Sequence, residues 1–179
     1  MVGIQAQVNY YQAEDIKQNG LLSQGITGMN DKFTSGLGLL LTWDTRDNMF
    51  YASDGEFYKA SLMVYSKAFG SNLNVTRFTL DLRNFYGLGG NHIFALQVYG
   101  DMTWGETPFQ IMPSLGGSDI LRGFYKGRYR DKMMMCAQVE YRFPIYKWLK
   151  GTAFAGAGDV TNDLDRLDIS QSKVAYGAG

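Results

Sequence analysis

Period-two alternation of apolar and polar residues, sustained over long segments, most constrains what this chain can fold into. Residues 74–86 show it plainly: Phe78, Leu80 and Leu82 share one face, and Arg77, Thr79, Asp81 and Arg83 share the other. Residues 2–11 set Val2, Ile4, Ala6, Val8 and Tyr10 against Gln5, Gln7 and Asn9. Successive side chains of a β-strand point to opposite faces, so this pattern reads as strand. The same alternation marks 34–44, 56–67, 91–103 and 132–143, and more weakly 149–160 and 172–179. The last full segment places Val139, Tyr141 and Phe143 opposite Gln138, Glu140 and Arg142. Eight strand candidates and no helix give an all-β, antiparallel class.

The candidates are long for soluble strands, which usually run to about 5–6 residues. A tilted strand that crosses a bilayer needs about 9–11. Aromatic residues gather near the strand ends: Tyr10, Tyr11, Trp43, Phe57, Tyr58, Phe85, Tyr86, Trp104, Tyr141 and Phe143. Such girdles mark membrane β-barrels. The connections divide as well. Loops 12–33, 68–73, 104–131 and 161–171 fall at one end, and 44–55, 87–90 and 144–148 at the other. Long loops outside and short turns on the periplasmic side suit a transmembrane β-barrel, although 68–73 is short for its end. The competing reading is a soluble antiparallel sandwich or lipocalin-like barrel, whose strands also alternate.

Composition narrows the function. With 17 Lys+Arg against 17 Asp+Glu the chain carries no formal net charge, so no basic surplus invites nucleic acid. Its 11 Phe, 12 Tyr and 22 Gly against 3 Pro lean towards β structure. No run of about 18 apolar residues exists for a membrane helix. Cys136 is the only cysteine and reads as an inert thiol, and His92 is the only histidine. Zinc sites and histidine triads therefore lack material. Asp44, Asp47 and Asp54 read as turn and cap chemistry, since their spacing is not that of a calcium loop. Asp159, Asp163, Asp165 and Asp168 read as a solvated acidic loop, and Met133 to Met135 as a strand start. Catalytic, metal and cofactor residues are not expected. The strand pattern begins at Met1-Val2-Gly3-Ile4, which suggests a piece of a longer protein.

Four ordered blocks carry a family resemblance. Leu115-Gly116-Gly117-Ser118 followed by Leu121-Arg122-Gly123-Phe124 resembles the conserved loop of the BamA/TamA-type outer-membrane assembly superfamily, the bacterial surface antigen family. That family also contains the two-partner-secretion transporters. Ala137 to Pro144 is similar to the strand after that loop, and Gly151 to Asp159 to the next. Asp44-Thr45-Arg46-Asp47-Asn48, through Phe50 to Gly55, is similar to the family's strand–turn segment.

The resemblance implies that residues 1–179 form one partial barrel domain, about eight strands of about sixteen. The N-terminal strands, the periplasmic repeats and the last two strands would lie outside it. It implies a place in the bacterial outer membrane, contact with its lipid, and work on client outer-membrane proteins alongside periplasmic or lipoprotein accessory factors. It also implies a long loop folded into the lumen, with Leu121, Arg122, Gly123 and Phe124 at the tip. Glu140 has inward parity with Gln138 and Arg142, so these are the expected wall partners. A carboxylate offers arginine a charge-assisted pair. Two positions depart from the family pattern. Gly156 stands where a second wall aspartate is usual, so either Glu140 holds Arg122 alone or Asp81 or Asp101, the secondary candidates, contributes. Ala52 stands where the turn commonly has proline. The alternatives are a barrel anchor for a patatin-like lipase and a soluble β-barrel binding protein.

Overall fold

The computed structural model describes residues 1–11, 32–163 and 172–179. Eight strands form one antiparallel sheet. They are β1 (Val2–Tyr11), β2 (Lys32–Asp44), β3 (Gly55–Tyr65), β4 (Val75–Gly87), β5 (Ile93–Gly105), β8 (Met133–Tyr146), β9 (Leu149–Thr161) and β10 (Lys173–Ala178). Two short strands, β6 (Ser114–Leu115) and β7 (Tyr129–Arg130), pair with each other inside the connection from β5 to β8. Each long strand pairs with its neighbour in sequence, so the sheet is a meander. Among the described residues β1 and β10 are its two edges.

The alternation becomes two chemically different faces. Outward residues are apolar and open: Ile4 is 83% exposed, Leu39 56%, Leu41 53% and Tyr176 84%. An apolar face of this extent belongs in hydrocarbon rather than water. It favours the membrane reading over the soluble binding-protein one. The inner face is polar and largely covered, with Ser61, Asp81, Gln97, Asp101 and Thr103 buried. Inner groups pair with one another, both across strands and within them. Arg77 donates two hydrogen bonds to Asp101 at 2.8 and 2.5 Å, and Arg83 donates to Asp81 at 2.7 to 3.1 Å. Tyr65 Oη donates to Gln7 at 2.7 Å and Ser61 Oγ to Gln5 at 3.0 Å.

Several boundaries differ from those expected. β8 runs on past Phe143 to Tyr146, which shortens the following turn to Lys147 and Trp148. Pro144 is accommodated because the register shifts between Pro144 and Tyr146, and a bulge is where a strand tolerates proline. β3 stops at Tyr65, because Ser66 Oγ accepts a hydrogen bond from Ala68 N and caps a short 3-10 turn, Lys67–Phe69. Asp159 is not a loop residue. It lies in β9 and holds Lys173 at 2.6 Å. Asp165 and Asp168 lie outside the described residues, as does most of loop 12–33.

Candidate functional site: the inward loop and its wall

The connection from Glu106 to Asp131 does not extend into solvent but lies along the inner face. Its first part places Ile111 against Met63 and Tyr65 of β3, Val75 of β4, and Leu73 in the connection between those strands. Its second part begins at the β6–β7 pair, which packs on β8 and β9. Gly116 and Gly117 have φ of 104° and 119°, where glycine is favoured. A Cβ on Gly116 would meet the Tyr125 carbonyl oxygen at 2.6 Å. The loop therefore closes on itself, with Gly117 N donating to Phe124 O at 3.0 Å.

The tip follows. Leu121 is fully buried with Leu115, Met134 and Cys136, and its φ is 52°. Burial compensates a left-handed conformation that an ordinary side chain adopts at a cost of about 1–2 kcal/mol. The Leu121 backbone turns Arg122 towards the wall. Arg122 Nη1 lies 2.5 Å from Glu140 Oε2, and its Nε donates to the Ser118 carbonyl at 3.1 Å. The guanidinium carbon stands 5.4 Å from the Phe154 ring centroid. A Cβ on Gly123 would lie 3.4 Å from Ala175 Cβ, and Phe124 meets Tyr129 edge-on at 5.7 Å.

Glu140 divides its carboxylate between two arginines, Oε2 to Arg122 and Oε1 to Arg142. Gln138 makes no hydrogen bond to Arg122. Its amide donates to the Asp119 carbonyl at 2.9 Å and to Gln97 Oε1 at 2.6 Å. Gln97 in turn donates to Asp81 at 2.9 Å. Asp81 thus reaches the loop only through two amides, while its carboxylate holds Arg83. Asp101 is taken by Arg77. Neither secondary candidate is brought to Arg122.

Gly156 has a steric explanation. A Cβ there would stand 2.8 Å from Gln138 Cβ and 3.0 Å from Leu121 Cδ1. Leu121 occupies the space that an aspartate would need. Gly158 likewise leaves room for Leu115, 2.9 Å from where a Cβ would sit. Sequence reading missed Gln97, Phe154 and the burial of Leu121. The inward parity of Gln97 was visible, but its register opposite Gln138 was not.

At the other end, turn 45–54 is held by its own side chains. Asp47 accepts from the Ser53 and Asp54 amides at 2.9 and 3.2 Å and from the Ser53 hydroxyl. Asn48 accepts from the amides of Phe50 and Tyr51 at 2.8 and 3.1 Å. These donors, the Ser53 hydroxyl first, pull the Asp47 carboxyl down to about 2. This is turn chemistry, and among the described residues no acidic cluster could hold a metal. Ala52 is buried with Phe85 and Ala95. His92 shares a 2.8 Å hydrogen bond with Tyr141 Oη near a strand end.

Long antiparallel strands with an apolar outer face, a polar inner face and an inward-folded loop define the wall of a transmembrane β-barrel. The Omp85 superfamily domain matches residues 3–179, and the chain belongs to that superfamily of outer-membrane assembly and translocation proteins. Its location is the bacterial outer membrane. The fold is similar to that of BamA from Haemophilus ducreyi lacking POTRA domains 1-3, with TM-score 0.69 at 16% identity. That likeness covers 88% of this chain and 39% of the other, so the chain spans well under half of that protein's length. No curated protein matches the chain.

Proposed function

We propose that this chain forms part of the wall of a larger barrel that inserts or translocates outer-membrane proteins, and that its inward loop braces the lumen. The Arg122–Glu140 pair carries the reading, because an ion pair with a largely covered carboxylate fixes a loop far better than one in open solvent. Leu121, Gly123 and Phe124 supply the close packing around it. Gln138 and Arg142 keep the wall side in place. The edges of β1 and β10 support the larger barrel. A strand edge in lipid leaves backbone groups unsatisfied, and further strands would complete it. No covalent chemistry is involved. The partners are outer-membrane lipid, client outer-membrane proteins, and periplasmic or lipoprotein accessory factors.

The test is replacement of the native gene by an Arg122→Ala version under depletion of the wild type. Folded outer-membrane proteins, followed by heat-modifiable gel mobility, are expected to fall with depletion and to be only partly restored by the variant. Unchanged levels after complete depletion would refute the assembly role. Full restoration by Arg122→Ala would refute the role of the loop.

A further inference from the structure

Arg142 has a second partner that the lumen-loop reading does not use. Its Nη1 donates to the Ala52 carbonyl at 3.1 Å, 90 residues away in sequence. Ala52 belongs to the turn between β2 and β3, whereas Arg142 stands on β8. Three strand steps separate β3 from β8 in the sheet. That is about 14 Å of arc at the usual strand spacing. The turn spans it by folding across the inner face, burying Ala52 against Phe85 and Ala95 on β4 and β5. The Tyr51 ring then lies 5.0 Å from the Arg142 guanidinium carbon and 4.1 Å from Lys150 Nζ. Arg142 Nε donates to Glu140, whose other oxygen seats Arg122.

We propose that Arg142 is a positioning residue that couples turn 45–54 at one end of the barrel to the loop tip in the lumen. The linkage runs from the Ala52 carbonyl through Arg142 and Glu140 to Arg122. Each link is a directed hydrogen bond or ion pair, and the turn is stiffened by Asp47 and Asn48, so it moves as a unit. A docked turn pins Arg142, and Arg142 pins the Glu140 carboxylate in the orientation that Arg122 meets. Displacing the turn removes one anchor of Arg142 and loosens the Arg122 seat. An event at the turn is thereby felt at the loop. The inference rests on the inward loop being a brace, but not on which cargo the barrel handles.

The experiment uses the full-length protein in outer-membrane vesicles, with Cys136→Ala and a maleimide probe site at exposed Ser118→Cys. Asp47→Ala, which uncaps the turn, is expected to speed labelling about tenfold, the scale of losing one hydrogen bond to a charged group. Arg142→Gln alone is expected to give a similar rise, and adding Asp47→Ala to it no more. An equal acceleration by Asp47→Ala in both backgrounds would show that the turn acts by another route and overturn the coupling. So would an unchanged or slowed rate. Should Arg142→Gln fail to fold, Tyr51→Ala removes the ring beside the guanidinium and leaves the Glu140 pair intact. A faster rate is expected there, and no change overturns the proposal. Labelling needs no client, so its failure is distinct from failure of the assembly role.

Discussion

Arg122, Glu140 and Gly156 show how one position shapes a site. Without a second wall carboxylate, Arg122 makes one ion pair, one bond to its own loop at Ser118, and a contact with the Phe154 ring. The volume beside Gly156 is filled by Leu121, so apolar packing stands where a second carboxylate would have to sit. A carboxylate at position 156 should therefore harm this protein. Gly156→Asp is expected to lower stability by about 1–3 kcal/mol through overpacking. The measurement is the denaturant midpoint for unfolding of the full-length protein from lipid vesicles. A raised midpoint would mean that Leu121 yields and the new carboxylate joins Arg122. Inward parity nominated Glu140, but it could not separate the carboxylate beside Arg122 from Asp81 and Asp101, which face Arg83 and Arg77. Parity gives a face. It gives neither the height along the barrel nor the rotamer.

Among the elements, turn 45–54 departs furthest from what its sequence suggests. Asp, Asn, Ser and Gly mark it as a turn, and Gly55 at φ 101° closes it. Nothing local says that it crosses three strands to meet Arg142. Its acid response follows from Asp47. A carboxyl held at about 2 in the fold contributes stability above the usual carboxylate value near about 4. That contribution is lost as pH falls from about 4 towards about 2. Pepsin cleavage beside exposed Phe50 can follow it, with Asp47→Asn as the reference. The variant is expected to be cut faster than wild type at pH about 4, with the ratio falling towards unity near pH about 2. A constant ratio would show that the carboxylate is not what closes the turn. The β8–β9 hairpin makes a similar point. Pro144 reads as a strand stop, yet a bulge carries the strand two residues past it.

For the whole molecule, the decisive property is that its two faces meet different media. Leu80 points outward from the middle of β4, and neighbouring Thr79 points inward. Arginine at Leu80 is expected to cost about 2–4 kcal/mol near the bilayer midplane. Lysine at Thr79, beside Asp81 and Asp101, is expected to stay within about 1 kcal/mol. Folding into vesicles, followed by gel mobility and denaturant titration, measures both. Equal penalties would mean that the faces are wrongly assigned.

The sequence by itself determined the strands, their inward and outward residues, the antiparallel class and the family. Alternation is a local signal, because a side chain's face depends only on its position in its own strand. The loop motif could be recognised for a related reason, since its glycines and arginine are contiguous. Only the tertiary structure decided that Glu140 is shared by two arginines, that Gln97 and Gln138 link Asp81 to the loop, and that Ala52 reaches Arg142. Those contacts join residues far apart in the chain. Their geometry depends on strand register, sheet curvature and the path of two connections, which are set by packing the whole sheet at once.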